Sequence, residues 1–161
     1  MPTPEERLQQ LGVSLPSPAV PVAAYVPTVR TGNLVFVSGQ VPVVDGTPSH
    51  LGHLGDDVDL EAGRAAARTC AINLIAALKA ELGELSQVRR VVKVTGFVAC
   101  TPGFTDAPKV INAASELLGE AFGDAGRHAR AAVGVAALPL GVPVEVEAIV
   151  EVAPTGPVGA G

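Results

Sequence analysis

From Val144 to Val152 the chain alternates apolar with mostly acidic residues, and few patterns restrict a fold more tightly. Successive side chains of a β-strand point to opposite faces, so a two-residue period decides which face is dry. Val144, Val146, Ala148, Val150 and Val152 make one face; Glu145, Glu147, Ile149 and Glu151 make the other. The first face is expected to take helices, and the second is mixed rather than wholly polar. Upstream, Arg127-His128-Ala129-Arg130 opens a second apolar run through Ala137, and Leu138-Pro139-Leu140-Gly141-Val142-Pro143 separates the two. Two apolar runs about a Pro/Gly turn read as a β-hairpin or as neighbouring strands. If they pair, the turn brings a fixed cation, Arg130, within reach of a glutamate on the adjoining strand.

The remaining segments supply the other layers. Residues 2–11 read as a short helix or a partly ordered lead, and prolines at 16, 18 and 21 force an extended connector. Residues 22–29 can form a strand interrupted by Pro27, which suits a sheet edge. Thr31-Gly32-Asn33 is a turn, and 34–37 a short strand ending in Ser38-Gly39-Gln40-Val41-Pro42. Asp45-Gly46-Thr47-Pro48 is another turn, and the loop that follows through Asp57 carries His50 and His53, whose nearest alternative to a polar loop, a metal site, lacks a third ligand. Asp59 can cap a helix whose apolar face runs through Ala67, Cys70, Ala71, Leu74, Ile75, Leu78 and Leu82, with Gly83 as its stop. The Val-rich segment Val88–Ala99 reads as a strand covered on both faces. Thr105 or Asp106 starts a second helix with Val110, Ile111, Ala114, Leu117, Leu118 and Phe122 at helical spacing, ended by Gly123. Strands resume at Ala129, and residues 154–161 form a tail expected to be mobile.

The pattern predicts an α+β chain, a mixed sheet with two helices packed on one face, as a single domain over residues 1–161 with residues 1–20 as a lead. With 161 residues and 48% hydrophobic content it can build a sizeable core. Because one sheet face is left only partly polar, the chain is expected to self-associate through it. A formal charge of −5 argues against nucleic acid as a partner. No signal peptide or membrane span is indicated, so a cytoplasmic location is expected. Cys70 and Cys100 read as buried thiols rather than as a disulfide or a nucleophile.

Three features could carry chemistry. A glycine after a strand, as in Ser38-Gly39-Gln40, lets a ligand approach the backbone amide, although it is most often only a turn residue. Arg130 is either a surface charge or a bidentate carboxylate clamp. Glu145 is either a solvent-facing strand residue or a group that holds or deprotonates water. Neither a nucleophile elbow, a phosphate-binding loop nor a dense metal-ligand cluster is present, which disfavours covalent and metal-based schemes.

These residues resemble the RidA family, also called the YjgF family, over roughly residues 20–152. Ala24-Tyr25-Val26, Gly32-Asn33, Val37-Ser38-Gly39-Gln40-Val41-Pro42, Ala129-Arg130, Val133-Gly134-Val135, Leu138-Pro139 and Val144-Glu145-Val146-Glu147-Ala148-Ile149 match its pattern in order. The resemblance implies a chorismate-mutase-like fold assembled as a homotrimer with clefts between subunits. It also implies a cofactor-independent hydrolase acting on C=N bonds, an enamine/imine deaminase that converts 2-aminoacrylate-type compounds to 2-keto acids and ammonia. Carried over, Arg130 pairs with the substrate carboxylate, helped by the Gly39 amide beside Ser38; Glu145 positions water; Tyr25 walls the pocket; and the Ala132 carbonyl contacts the nitrogen side. Ala132 departs from the best-known members, which carry Cys there, and the lead and the His50–His53 loop are longer, marks of a divergent branch. Alternatives are a non-catalytic module that binds a small carboxylate or keto acid, and an endoribonuclease or translation inhibitor, which the acidic balance disfavours.

Overall fold

The alternating C-terminal segment folds as the middle strand of a five-stranded sheet. The computed structural model describes residues 1–18 and 23–156. In chain order the elements are α1 (Pro4–Gln10), β1 (Thr28–Thr31), β2 (Leu34–Gln40), β3 (Val43–Val44), β4 (Thr47–Pro48), α2 (Leu60–Leu82), β5 (Val88–Ala99), α3 (Ala107–Phe122), β6 (Ala129–Val135) and β7 (Val144–Val152). The sheet runs β1-β2-β7-β5-β6, antiparallel except for the parallel pair β5–β6. As expected, Val144, Val146, Ala148, Val150 and Val152 are buried, and the helices cover that face.

Both long helices form where periodicity and caps require them. Asp59 accepts from the Ala62 amide at 2.8 Å, and Gly83 takes φ +79° at the far end of α2. α3 starts after Asp106 with Pro108 in its first turn, although the Asp106 side chain makes no capping bond. The short α1 has a full capping box between Thr3 and Glu6. Its Leu8 is buried, and its Glu5 carboxylate accepts from Lys79 Nζ at 2.9 Å and the Leu85 amide at 2.7 Å. Burial pushes that carboxyl's pKa up, but the two donors outweigh it and the pKa falls below its ordinary value.

The expected pairing of the two C-terminal runs does not occur. β5 lies between β6 and β7, in register with both. Residues 124–135 follow α3, so β6 closes a β5-α3-β6 crossover and pairs parallel to β5, as crossover connections do. The Pro/Gly turn then straddles the end of β5, whose Ala99 and Cys100 amides donate to the Pro143 and Val135 carbonyls. Two further expectations change. β5 is buried on one face only, with Arg89, Arg90 and Val92 exposed and Lys93, Thr95 and Phe97 half-buried. The first strand starts after Pro27 at Thr28, on the sheet edge; Val22 lies outside the described residues. The expected turn at Asp45-Gly46 forms, and it closes a small hairpin, β3–β4, whose strands the sequence did not suggest. The expected mobile tail falls mostly outside the described residues, and no helix among them is long and apolar enough to cross a membrane.

Gly96 of β5 fixes how closely α3 approaches the sheet. A Cβ placed there would meet Ile111 Cδ1 and Cγ1 at 2.5 Å and Cγ2 at 2.7 Å. Gly96→Ala is therefore expected to cost about 1–3 kcal/mol by forcing α3 outward. Urea unfolding measures this; a change below about 0.5 kcal/mol would mean that Ile111 has room to move.

Candidate functional site

Two groups of polar residues form on opposite faces of the sheet. The first sits where the β2–β7 ladder slips: Val37 pairs with Ala148, yet Gln40 pairs with Val146, so Ser38 and Gly39 occupy a bulge. Bulges re-aim side chains and free backbone groups, and they concentrate at functional sites. Ser38 secures the bulge from both sides. Its amide donates to the Pro27 carbonyl at 2.9 Å and its hydroxyl to the Val26 carbonyl at 2.7 Å, tethering the segment that carries the exposed Tyr25. Gly39 leaves room for its neighbour: a Cβ there would lie 2.9 Å from Glu145 Cδ and closer still to Oε1, so any larger residue would displace the carboxylate. The Glu145 carboxylate thus lies against the Gly39 backbone. Glu145 is half-buried, and burial, then the charge of Glu147, raise its pKa above the ordinary value. Tyr25, Ser38, Gly39 and Glu145 therefore converge at one end of the sheet.

Arg130 belongs to a second group. It pairs in register with Val94, which is buried on the helix-covered face, and Ala132 follows on that face opposite Gly96. Its Nη1 donates to Asn112 Oδ1 at 2.8 Å and Ser115 Oγ at 3.2 Å, and its Nη2 to the Pro108 carbonyl at 3.4 Å. All three acceptors are on α3. Glu145 pairs with Phe97, three positions along β5 from Val94 and hence on the other face. Strand spacing and rise put the two Cα atoms about 14 Å apart. Within one chain Arg130 and Glu145 do not meet.

Asn112 and Ser115 are the residues that sequence reasoning missed. Their three-residue spacing sets them on one flank of α3, bordering its apolar stripe, and that polar pair was the available signal. His128 joins them: Nε2 lies 2.9 Å from Ser115 Oγ and Nδ1 lies 2.6 Å from the Gly126 carbonyl. Elsewhere His50 Nδ1 contacts Ser49 Oγ and His53 Nε2 contacts the Ala136 carbonyl, so each imidazole is engaged in holding its loop. No cluster of three or more metal-ligating side chains occurs among the described residues. Cys70 and Cys100 are unpaired. Cys70 is buried against the Val144 carbonyl, and burial, then Glu145, drive its thiol pKa well up, which removes it as a nucleophile. On the helix-free face a groove of about 340 Å³ runs past Phe36, Ser38, Lys93, Thr95, Glu147 and Ile149.

Comparison with known proteins places the chain. Residues 5–152 match the family model described as "YjgF/chorismate_mutase-like, putative endoribonuclease". Protein TCP17 of Trypanosoma cruzi is 47% identical over 145 residues, covering 89% of this chain and 91% of its own. The crystal structure of Atu1372, a protein of unknown function from Agrobacterium tumefaciens, is 48% identical with a TM-score of 0.87, covering 92% of each chain. A more distant neighbour, E. coli TdcF with bound serine, is 26% identical with a TM-score of 0.61 over 84% of this chain and 93% of its own. The family match spans nearly all of the sheet and both long helices, and the chain accordingly belongs to the YjgF family, also known as RidA, with its chorismate-mutase-like α+β fold.

Proposed function

We propose that this protein is a cofactor-independent enamine/imine deaminase whose site forms between subunits of a homotrimer. The observation that carries this reading is the state of Arg130. Its guanidinium is held by three neutral acceptors, and no carboxylate among the described residues pairs with it. A half-buried, immobilised cation without a protein counter-ion suits a carboxylate ligand. Support for a small amino-acid-like ligand comes from the serine bound to the neighbour TdcF.

Assembly supplies what a single chain lacks. The helix-free face exposes Val29, Phe36 and Val133 in addition to its groove, more apolar surface than a lone sheet leaves in water. Packing through that face would bring the Arg130 and Ala132 edge of one chain toward the Tyr25, Gly39 and Glu145 end of the next. The substrate carboxylate then lies between Arg130 and the Gly39 amide.

The chemistry asks little of the protein. An enamine tautomerises to its imine, whose carbon is already electrophilic. Glu145 takes a proton from water as the oxygen attacks that carbon, giving a carbinolamine. That proton passes from Glu145 to the nitrogen, completing the carbinolamine amine; the carboxylate then takes the carbinolamine hydroxyl proton and relays it to the same nitrogen as the C–N bond breaks and the C=O bond forms, so that a 2-keto acid and ammonia leave. Orientation and charge complementarity account for the acceleration, with no covalent intermediate. A raised carboxyl pKa makes Glu145 a better proton acceptor once ionised.

Keto-acid release from freshly generated 2-iminobutanoate is expected to fall about 10²–10³-fold in kcat/KM for Arg130→Ala, the loss of a charge-assisted pair; unchanged turnover would remove Arg130 from the site. Glu145→Gln is expected to lose about 10²–10⁴-fold in kcat while still binding keto acid. The acid limb of the wild-type profile should lie above the ordinary carboxylate pKa. A carboxyl whose folded pKa is raised binds its proton more tightly in the folded state, so its contribution is present below the unfolded value and is lost as pH rises through the folded pKa. Glu145→Gln should therefore raise the melting temperature at neutral pH; a lower Tm would contradict that linkage. Sedimentation at micromolar concentration is expected to give a trimer, and a monomer would defeat the shared site. Keto-acid binding without turnover of any imine would make the protein a sensor instead.

A further inference from the structure

We propose that Ser115 and His128 form a positioning relay for Arg130, with His128 neutral and protonated on Nδ1. Hydrogen-bond roles fix the arrangement from one end. The Gly126 carbonyl can only accept, so the 2.6 Å contact requires the proton on His128 Nδ1. In the neutral ring Nε2 is then an acceptor, and the Ser115 hydroxyl, 2.9 Å away, must donate to it. With its proton directed at His128, Ser115 turns a lone pair toward Arg130 Nη1 at 3.2 Å. Asn112 Oδ1 accepts the other Nη1 proton at 2.8 Å. A histidine that never touches the ligand thus sets the direction of a hydroxyl, and the hydroxyl sets the plane of the guanidinium.

The connection is local in sequence and rigid in structure. Ser115 is on α3, and His128 is at the end of the short turn that joins α3 to β6, two residues before Arg130. Gly126, the acceptor, is itself fixed: a Cβ there would meet the Leu118 and Gly119 backbone, so the turn lies flat against α3. All of these contacts are made within one chain. An imidazolium would reverse the Ser115–His128 bond and point two cationic donors at one hydroxyl, and an Nε2–H tautomer would leave the Gly126 carbonyl without its donor.

The kinetic consequence rests on Arg130 being the carboxylate anchor, and the tautomer does not. Because a substrate carboxylate is bound equally in the ground and transition states, a loosened anchor raises KM and leaves kcat nearly alone. On the intact protein at pH 8, ¹⁵N NMR of the His128 ring is expected to show a protonated Nδ1 and an unprotonated Nε2, with Nε2 shifting in Ser115→Ala. Ser115→Ala and His128→Phe should each raise KM for the imine, and Kd for 2-oxobutanoate, about tenfold with kcat within about twofold, and Ser115→Thr should restore both. A protonated Nε2, or a ring signal indifferent to Ser115→Ala, overturns the relay whatever the activity. If Arg130→Ala weakens keto-acid binding but Ser115→Ala does not, the relay fails and the anchor stands. If Arg130→Ala leaves binding intact, the anchor fails and the NMR result alone decides the relay.

Discussion

Burial of the even-numbered side chains of β7 is the constraint on which the other elements depend. Val144, Val146, Val150 and Val152 are essentially inaccessible, and they lie under α2 and α3 while β2 and β5 pair along the two edges of the strand. A strand in the middle of a sheet has no free edge, so its register must satisfy both neighbours at once. One-residue slippage would put Glu145, Glu147 and Glu151 into the core, at a cost no domain of this size could absorb. The irregularities are taken up by the neighbours of β7: β2 accommodates an extra residue at Ser38-Gly39, and β5 shifts register between Val88 and Arg90 and between Val91 and Lys93. The bulge that exposes the Gly39 backbone is therefore a product of holding β7 in place.

The same parity divides the polar residues. Because Glu145 is at an odd position of β7 it faces away from the helices, whereas Arg130, in register with Val94, faces toward them. Two ions of opposite sign close together in one chain would pair with each other and need to be pulled apart before either could act on a ligand. Held on opposite faces, with Arg130 bound to α3 and Glu145 against Gly39, the two do not neutralise each other within one chain, which is what the proposed shared cleft requires.

Much of this was legible in the chain, for identifiable reasons. The α2 and α3 stripes, the Asp59 cap, the Gly83 and Gly123 stops and the β7 alternation are local signals, and each appears where periodicity put it. Residues 138–143 carry a turn signal as well, but a turn does not state whether its strands are neighbours or have a third between them. That outcome is set by β5, some forty residues earlier, whose length and Val content let it pair with both. Family resemblance pointed to Arg130, Gly39 and Glu145, while Asn112, Ser115 and His128 are unremarkable polar residues until α3 folds back over β6.

Glu145 shows how function and stability pull against each other at such a site. A half-buried carboxylate beside Glu147 and near the buried Cys70 thiol is poorly solvated and repelled, and its protonated form suits the fold better. Nothing in the packing demands an acid there: the Gly39 backbone would accept an amide of the same shape, and the core lies on the other face of β7. In the proposed deaminase mechanism the anionic form is the one that would remove a proton from water, so ionisation would be held at a position where the fold resists it. The carboxylate lies half-buried against the Gly39 backbone, and the poor solvation that favours its protonated form also makes it the stronger base once ionised.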